Sequence, residues 1–78
     1  MLETIKKYYR VDRREISFLK YILEAYDGLG VLTTVDSAKG IVVINIAPGC
    51  DADVEMILKD LKKNVMIEKI DSENRISE

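Results

Sequence analysis

The order of periodic segments along the chain constrains its fold more strongly than any single residue does. Four short segments are rich in β-branched residues or alternate apolar with polar residues, which is typical of β-strands. Two longer segments carry apolar residues at helical spacing. In chain order they predict strand, helix, strand, strand, helix, strand, and they fill most of the 78 residues. We therefore interpret residues 1–78 as a single domain.

The first half of the chain predicts a strand and a helix, together with the signals that begin and end the helix. The strand is predicted over residues 5–11, and its alternation places Ile5, Lys7, Tyr9 and Val11 on the side opposite to Lys6, Tyr8 and Arg10, toward the helices. Asp12 is a typical N-cap, and Glu15 three residues later indicates a capping box. Gly28 can adopt the left-handed backbone conformation that commonly ends a helix. The helix is expected to bury a broad apolar stripe made of Ile16, Phe18, Leu19, Ile22, Leu23, Ala25 and Tyr26.

The second half predicts a hairpin, a second helix and a last strand. The turn at 36–40 joins the second and third strands of the chain into the hairpin. The register of this hairpin is open between a four- and a five-residue loop. The second helix starts after Pro48 and ends at Asn64, and residues 71–78 form a polar tail that we expect to fray. The strands are predicted over residues 31–35, 41–46 and 65–70. The buried side of the helix is predicted to hold Val54, Ile57, Leu58 and Leu61.

Two interleaved right-handed β-α-β crossovers predict an α+β fold of the ferredoxin-like βαββαβ type. Its antiparallel sheet has four strands in the order 4-1-3-2, with both helices on one face. The first and third strands are then central. We place Tyr9 and Phe18 in the core and leave Tyr8 exposed. The residues of the central strands that point away from the helices form an open face: Lys6, Tyr8, Arg10, Ile41, Val43 and Asn45.

Composition excludes several classes of function. With one cysteine and no histidine, the chain cannot form an internal disulfide, a multi-thiolate zinc site, or a Ser-His or Cys-His nucleophile. Cys50 is interpreted as a structural or incidental thiol. The spacing of Asp36, Asp51 and Asp53 matches no calcium loop. We therefore expect no metal and no cofactor, and we predict that the protein is not an enzyme.

The location of the protein is predicted from its apolar segments. The first residues lack the apolar stretch of a secretory signal. No apolar run approaches the roughly 18 residues that a membrane span requires. We therefore expect a soluble cytoplasmic protein without a membrane partner.

The open face supports two interpretations. Its cations and Tyr8 resemble a nucleic-acid platform, and Lys39-Gly40 fits the start of the strand-three signature of RNA-recognition motifs. The aromatic positions of that signature are aliphatic here, so the stacking rings are missing. Ile41 and Val43 would instead leave apolar area in water for a second copy to bury. We therefore favour a homo-oligomer, with a dimer preferred, over nucleic-acid binding.

A second candidate site lies where the first helix ends, at Tyr26, Asp27 and Gly28. Asp27 places negative charge at a helix end where the macrodipole disfavours it, and such violations sometimes mark sites. Asp-Gly is also ordinary turn chemistry, and that interpretation is the preferred one. The loop is kept as a candidate ligand loop for a small effector.

Four runs of residues resemble a group of small bacterial proteins catalogued as a domain of unknown function, number 4911. The resemblance spans nearly the whole chain and implies a bacterial cytoplasmic origin, but it implies no activity. The runs are Tyr9-Arg10-Val11-Asp12-Arg13-Arg14-Glu15-Ile16, Glu24-Ala25-Tyr26-Asp27-Gly28-Leu29, Thr34-Val35-Asp36 and Ala47-Pro48-Gly49-Cys50.

In topology the chain is also similar to ACT domains, which pair through sheets or helices and sense amino acids. The first strand-to-helix junction of this chain lacks the glycine that such sensors carry. The resulting hypothesis is a self-associating interaction or regulatory module, with effector binding as an addition. The alternative is a nucleic-acid-associated protein that uses Lys6, Tyr8 and Arg10, and a small enzyme is the third choice.

Overall fold

The computed structural model describes residues 5–26 and 28–70. Its sheet has the strand order β2-β3-β1-β4, and each neighbouring pair is antiparallel. This is the predicted order 4-1-3-2 counted from the other edge, so the α+β prediction and the sheet order are confirmed. The predicted fraying of 71–78 lies outside the described residues. The elements are β1 (Ile5–Val11), α1 (Ile16–Ala25), β2 (Gly30–Asp36), β3 (Ile41–Ile46), α2 (Asp51–Leu61) and β4 (Ile67–Ile70), with a 3-10 turn at Arg13–Glu15.

Both helices pack on the same face of the sheet. Leu19 and Leu23 of α1 and Val54 and Leu58 of α2 belong to one buried cluster. The strands contribute alternate residues to it, as expected when successive side chains point to opposite faces. The strand members of the cluster are Tyr9, Val11, Leu32, Val42, Ile44, Ile46 and Ile67.

The start of α1 differs from the predicted capping box. The Oδ1 of Asp12 accepts a hydrogen bond from the Arg14 amide at 3.0 Å, so Asp12 caps the 3-10 turn that leads into the helix. The Asp12 amide donates to the carbonyl of Met66 at 3.3 Å, just before β4. Because that amide is already paired, the Glu15 side chain has no donor to accept from, and the capping box is wrong. Asp12 instead joins the start of α1 to the start of β4.

The hairpin between β2 and β3 resolves the open register. Asp36 pairs with Ile41, so four residues form the loop, and a bulge lies between Thr34 and Asp36. The Oδ1 of Asp36 accepts from the Lys39 amide at 3.1 Å. Gly40 has a φ of +74°, and its carbonyl accepts from the Val11 amide at 2.8 Å. The bulge explains why both loop lengths fitted the sequence, since it adds one residue to one strand.

Two element ends and one helix face also differ from the predictions. α2 ends at Leu61 rather than Asn64, and β4 begins at Ile67 rather than Val65. The Val65 amide donates to the Leu61 carbonyl at 2.9 Å, so it closes the helix instead of entering the sheet. The predicted stripe of α1 is too wide, since Phe18 and Tyr26 are exposed. Within α1, only Leu19 and Leu23 are fully buried.

Candidate functional site

The six residues of the predicted open face are neighbours in the register of the two central strands. Three pairs stand directly opposite each other: Lys6 with Asn45, Tyr8 with Val43, and Arg10 with Ile41. The adjoining strands extend the face, because Thr33 pairs with Val43 and Ile70 pairs with Tyr8. A row of Thr33, Val43, Tyr8 and Ile70 therefore crosses the middle of the sheet.

The aliphatic residues of the open face are less accessible than the sequence suggested. Ile41 is 1% exposed and Val43 is 9% exposed, although neither belongs to the main core cluster. Tyr8 is half-buried rather than exposed. Side chains of both neighbouring strands flank a residue on a central strand, and they cover it even without a helix. The expectation that Ile41 and Val43 leave apolar area in water is wrong.

The charges of the open face are of both signs. Lys6 and Arg10 are exposed on β1. Glu68 of β4 lies directly opposite Arg10, and Asp36 lies opposite Ile41 on the other side. A groove that follows a nucleic-acid backbone needs a broad surface of positive charge. The described part of this face carries a mixed pattern instead.

A polar cluster that the sequence did not predict joins β1 to α2. The Lys7 Nζ lies 2.6 Å from the Glu55 Oε2, and the Tyr9 hydroxyl donates to the same oxygen at 3.3 Å. Lys7 was placed on the inward side of β1 with Tyr9, which is correct. Its partner lies 48 residues away, so no local pattern could identify it. The inward position of Lys7 was the one sequence signal that a carboxylate would pair with it.

The cluster is suited to structural support rather than to proton transfer. The hydrogen bond from Lys7 lowers the pKa of Glu55, and the charges of Lys7 and Lys69 add to this effect. Burial raises the pKa of Tyr9, and the neighbouring Glu55 carboxylate raises it further. At neutral pH the carboxylate is therefore ionised and the phenol is protonated. Neither group has a pKa near 7, which a general acid or base requires.

The lowered pKa of Glu55 predicts a loss of stability in acid. A carboxyl group with a folded-state pKa below its unfolded value stabilises the fold above the unfolded value. That contribution disappears as the pH falls through the folded-state pKa. We expect Glu55→Gln to lower the free energy of unfolding at pH 7 but to match the wild type well below pH 4.5, the ordinary pKa of this group. Urea unfolding at a series of pH values measures the difference.

Glu68→Gln is the matched control for this experiment, because Glu68 is an exposed carboxylate without an ion pair to any described residue. It should shift stability much less at pH 7. A Glu55→Gln penalty that persisted unchanged at low pH would show that packing, and not the charge of Glu55, holds α2 against β1.

Much of the exposed apolar surface of the described residues belongs to the two helices and the end of α1. Four large apolar side chains there are 43% to 70% exposed, and we call them the helical patch: Phe18, Tyr21, Tyr26 and Met56. The sequence pattern missed this surface because it assigned Phe18 and Tyr26 to the buried stripe. The signal was present in Tyr21 and Met56, which lie outside the apolar stripe of their helices.

A groove runs beside the helical patch, between α1 and α2. It contains two overlapping depressions of about 450 and 460 Å³ that share Tyr26, Met56 and Ile57. Asp53 borders one depression, and Asp60 borders the other. The floor of the groove is therefore apolar, and its α2 edge is acidic.

A third depression lies on the other side of Met56. It has a volume of about 490 Å³ and is lined by Ala52, Glu55, Met56, Lys59 and Lys62. Because Glu55 is paired with Lys7, the lysines dominate the charge on this side. Met56 consequently forms a ridge with an acidic groove on one side and a basic depression on the other.

The candidate ligand loop does not form a single site. Tyr26 borders the interhelical groove. Gly28 instead borders a depression of about 320 Å³ beside Gly30, Val31 and Pro48. Asp27 lies outside the described residues. The described members of this loop therefore line two different surfaces.

Cys50 and Asp36 have structural roles. Cys50 is half-buried against the core at the start of α2. The carboxylate of Asp36 accepts a hydrogen bond within its turn. Across residues 5–26 and 28–70, no three acidic or cysteine side chains come together to hold a metal ion. Neither helix of the described chain has the length and apolar character to cross a membrane.

A protein-family model described as a domain of unknown function (DUF4911) matches residues 9–65. The matched segment covers well over half of the 78 residues. It includes both helices and therefore the whole helical patch, whereas β4 lies beyond it. No curated protein and no solved structure matches the chain.

Proposed function

Because the chain belongs to the DUF4911 family, whose description assigns no activity, we propose its function from its surface. The protein is a non-enzymatic interaction module that associates with a second copy of itself. It has the ferredoxin-like arrangement and an ACT-like topology, and it acts in the bacterial cytoplasm. A single, unpaired Cys50 is consistent with such a reducing compartment.

The helical patch is the observation that carries this proposal. Large aromatic and methionine side chains are the residue types that interfaces favour. Here Tyr26 and Met56 line the same groove between α1 and α2, and Phe18 and Tyr21 are exposed on α1. Isolated exposed apolar residues are ordinary, but exposed aromatic and methionine side chains that border an apolar groove are typical of a protein contact. A chain this short also gains stability by burying more surface in a dimer.

The open face is the alternative surface for association. Ile41 and Val43 contribute little accessible apolar area there, so the hydrophobic gain from pairing through that face is smaller than through the helical patch. Nucleic-acid binding through the same face ranks second as a function. Its support is the pair of exposed cations, Lys6 and Arg10, beside Tyr8.

Effector binding is a further alternative, supported by Tyr26 at the edge of the groove. The depression beside it, at about 450 Å³, lies within the size range of small-molecule sites. A ligand there would occupy part of the surface that association covers. Association and effector binding would then be coupled.

Met56→Lys is expected to weaken self-association, because each copy would place an ammonium at an apolar contact. Folding should survive, since Met56 is 68% exposed and the new side chain can reach water. Sedimentation velocity over a range of protein concentrations measures the mass. A wild type that stays monomeric at every concentration would overturn the proposed function.

Met66→Lys is the matched control, because Met66 is also exposed, at 50%, but lies outside both helices. It should associate like the wild type. A third variant, Val31→Lys, changes an exposed residue of the open face. If Val31→Lys dissociated the dimer and Met56→Lys did not, the result would show that the copies pair through the open face.

A further inference from the structure

Two carboxylates lie on one edge of the groove between α1 and α2. Asp53 and Asp60 are exposed residues of α2, and each borders one of the two overlapping depressions that form the groove. Residues seven apart lie on nearly the same side of a helix, because seven residues make close to two full turns. The helical rise separates their Cα atoms by about 10 Å along the axis of α2. The groove therefore carries negative charge at two points of known spacing.

The floor between these two carboxylates is apolar. Met56 and Ile57 lie between them in the sequence, and both residues line the two depressions together with Tyr26. An aromatic ring beside a groove offers apolar surface to a ligand, and its face also attracts cations. The groove thus combines a floor for an apolar chain with an edge for positive charge.

The charges of the two carboxylates are weakly compensated within the described chain. Asp53 forms no ion pair with any described residue. Asp60 has one partner, Lys63, at 3.6 Å, and both side chains are exposed. Such an exposed pair contributes little and is easily exchanged. Because Asp60 lies in the last turn of α2, where the helix dipole disfavours a carboxylate, the dipole does not account for its position.

The nearby cations of α2 belong to a different surface. Lys59 and Lys62 line the depression on the other side of Met56. Among the described residues that line the two depressions of the groove, none is a lysine or an arginine. A ligand that fits the groove must therefore bring its own positive charge to the acidic edge.

We propose that the groove binds an elongated diamine, that is, an aliphatic chain with an ammonium group at each end. One ammonium group pairs with Asp53 and the other with Asp60, while the methylene groups between them lie on the apolar floor. An extended eight-carbon diamine holds its nitrogens about 11 Å apart at ordinary bond lengths, which matches the spacing of the carboxylates. The depressions, at about 450 and 460 Å³, have the size of small-molecule sites. Such binding extends the effector alternative for this groove and does not require self-association.

Three amines of different length and charge test the spacing. Diaminooctane has two ammonium groups at the required distance, octylamine has the same chain with one, and diaminobutane has two that are too close together. Diaminooctane should bind at least about threefold more tightly than either of the others, which one additional exposed ion pair can supply. Isothermal titration calorimetry at low ionic strength measures the dissociation constants. Equal affinities for diaminooctane and octylamine would overturn the proposed site.

Variants of the two carboxylates locate the binding. Asp53→Asn and Asp60→Asn should each weaken diaminooctane binding at least about threefold and remove its advantage over octylamine. Octylamine should be affected less, because its one ammonium group can still pair with the remaining carboxylate. Circular dichroism of each variant verifies that the helices persist.

Asp51→Asn is the matched control, because Asp51 is an exposed carboxylate of the same helix that lines neither depression. It should change the dissociation constant of diaminooctane by less than about twofold. If Asp51→Asn weakened binding as much as Asp53→Asn and Asp60→Asn did, general attraction to an acidic helix would explain the result, and the groove would not be the site.

The oligomeric state is kept separate from ligand binding in these titrations. The protein is diluted until sedimentation velocity shows a monomer, so that association through the helical patch does not cover the groove. A monomer that shows no saturable binding of diaminooctane would overturn the diamine site and leave self-association standing. A wild type that binds diaminooctane but stays monomeric at every concentration would support the diamine site and overturn the proposed self-association.

Discussion

Gly40→Ala is expected to destabilise the fold by about 3 kcal/mol or more, because the new methyl group meets two obstacles at once. Gly40 has a φ of +74°, a region that alanine occupies only with strain. Its Cβ would also overlap the carbonyl oxygen of Val11. The backbone must therefore move apart, and the 2.8 Å bond from the Val11 amide to the Gly40 carbonyl is lost or lengthened. Urea unfolding measures the loss.

Gly49→Ala separates the two causes. Gly49 has a similar φ of +81°, but no atom lies within 4 Å of the Cβ that alanine would add. Only the conformational strain remains, at roughly 1–2 kcal/mol. Equal losses of unfolding free energy in the two variants would show that the overlap with the Val11 carbonyl is relieved by a backbone shift that costs no stability.

The topology was predictable because it depends on periods that every strand and helix repeats. β3 shows this most clearly, since its aliphatic run gave the observed bounds Ile41–Ile46. The inward side of β1 was also correct for Tyr9, Val11 and Lys7. These assignments use only local alternation, and the sheet order then follows from the handedness of the crossovers.

Element ends were less predictable because they depend on distant partners. The Asp12 amide bonds to Met66, 54 positions along the chain, so the local Asp-x-x-Glu pattern could not describe the helix start. The bulge at Thr34 and Asp36 similarly belongs to the pairing of two strands. A capping or turn signature indicates the local conformations that a segment favours. Contacts with distant residues then determine which of these conformations forms.

Surface exposure was the least predictable property, and the candidate site depended on it. Ile41 and Val43 face away from the helices as expected, yet side chains of the flanking strands cover them. Phe18 and Tyr26 fit a wide apolar stripe, yet they remain exposed. A periodic pattern predicts which face a side chain points to. It does not predict how much of that side chain its neighbours cover. The proposed interface therefore lies on the helices rather than on the sheet.

Tyr9→Ala is expected to cost about 3–5 kcal/mol, the range found when a buried aromatic ring is removed from a core. Tyr9 is 2% exposed and packs in the main cluster. Tyr9→Phe keeps the ring and loses only the hydroxyl, whose bond to Glu55 is long at 3.3 Å. That variant should lose at most about 1 kcal/mol at pH 7.

Tyr9→Phe also differs from the wild type at alkaline pH, where the ionisation of Tyr9 destabilises the wild type. A phenol with a raised folded-state pKa stabilises the fold below its unfolded pKa of 10.0, and this contribution is lost as the pH rises further. The unfolded wild type gains from ionising Tyr9, whereas the unfolded Tyr9→Phe variant cannot. Above pH 10 the wild type should therefore lose stability faster than Tyr9→Phe in urea unfolding. If Tyr9→Phe instead cost as much as Tyr9→Ala at pH 7, the bond from the hydroxyl to Glu55, and not the buried ring, would be what holds α2 on the sheet.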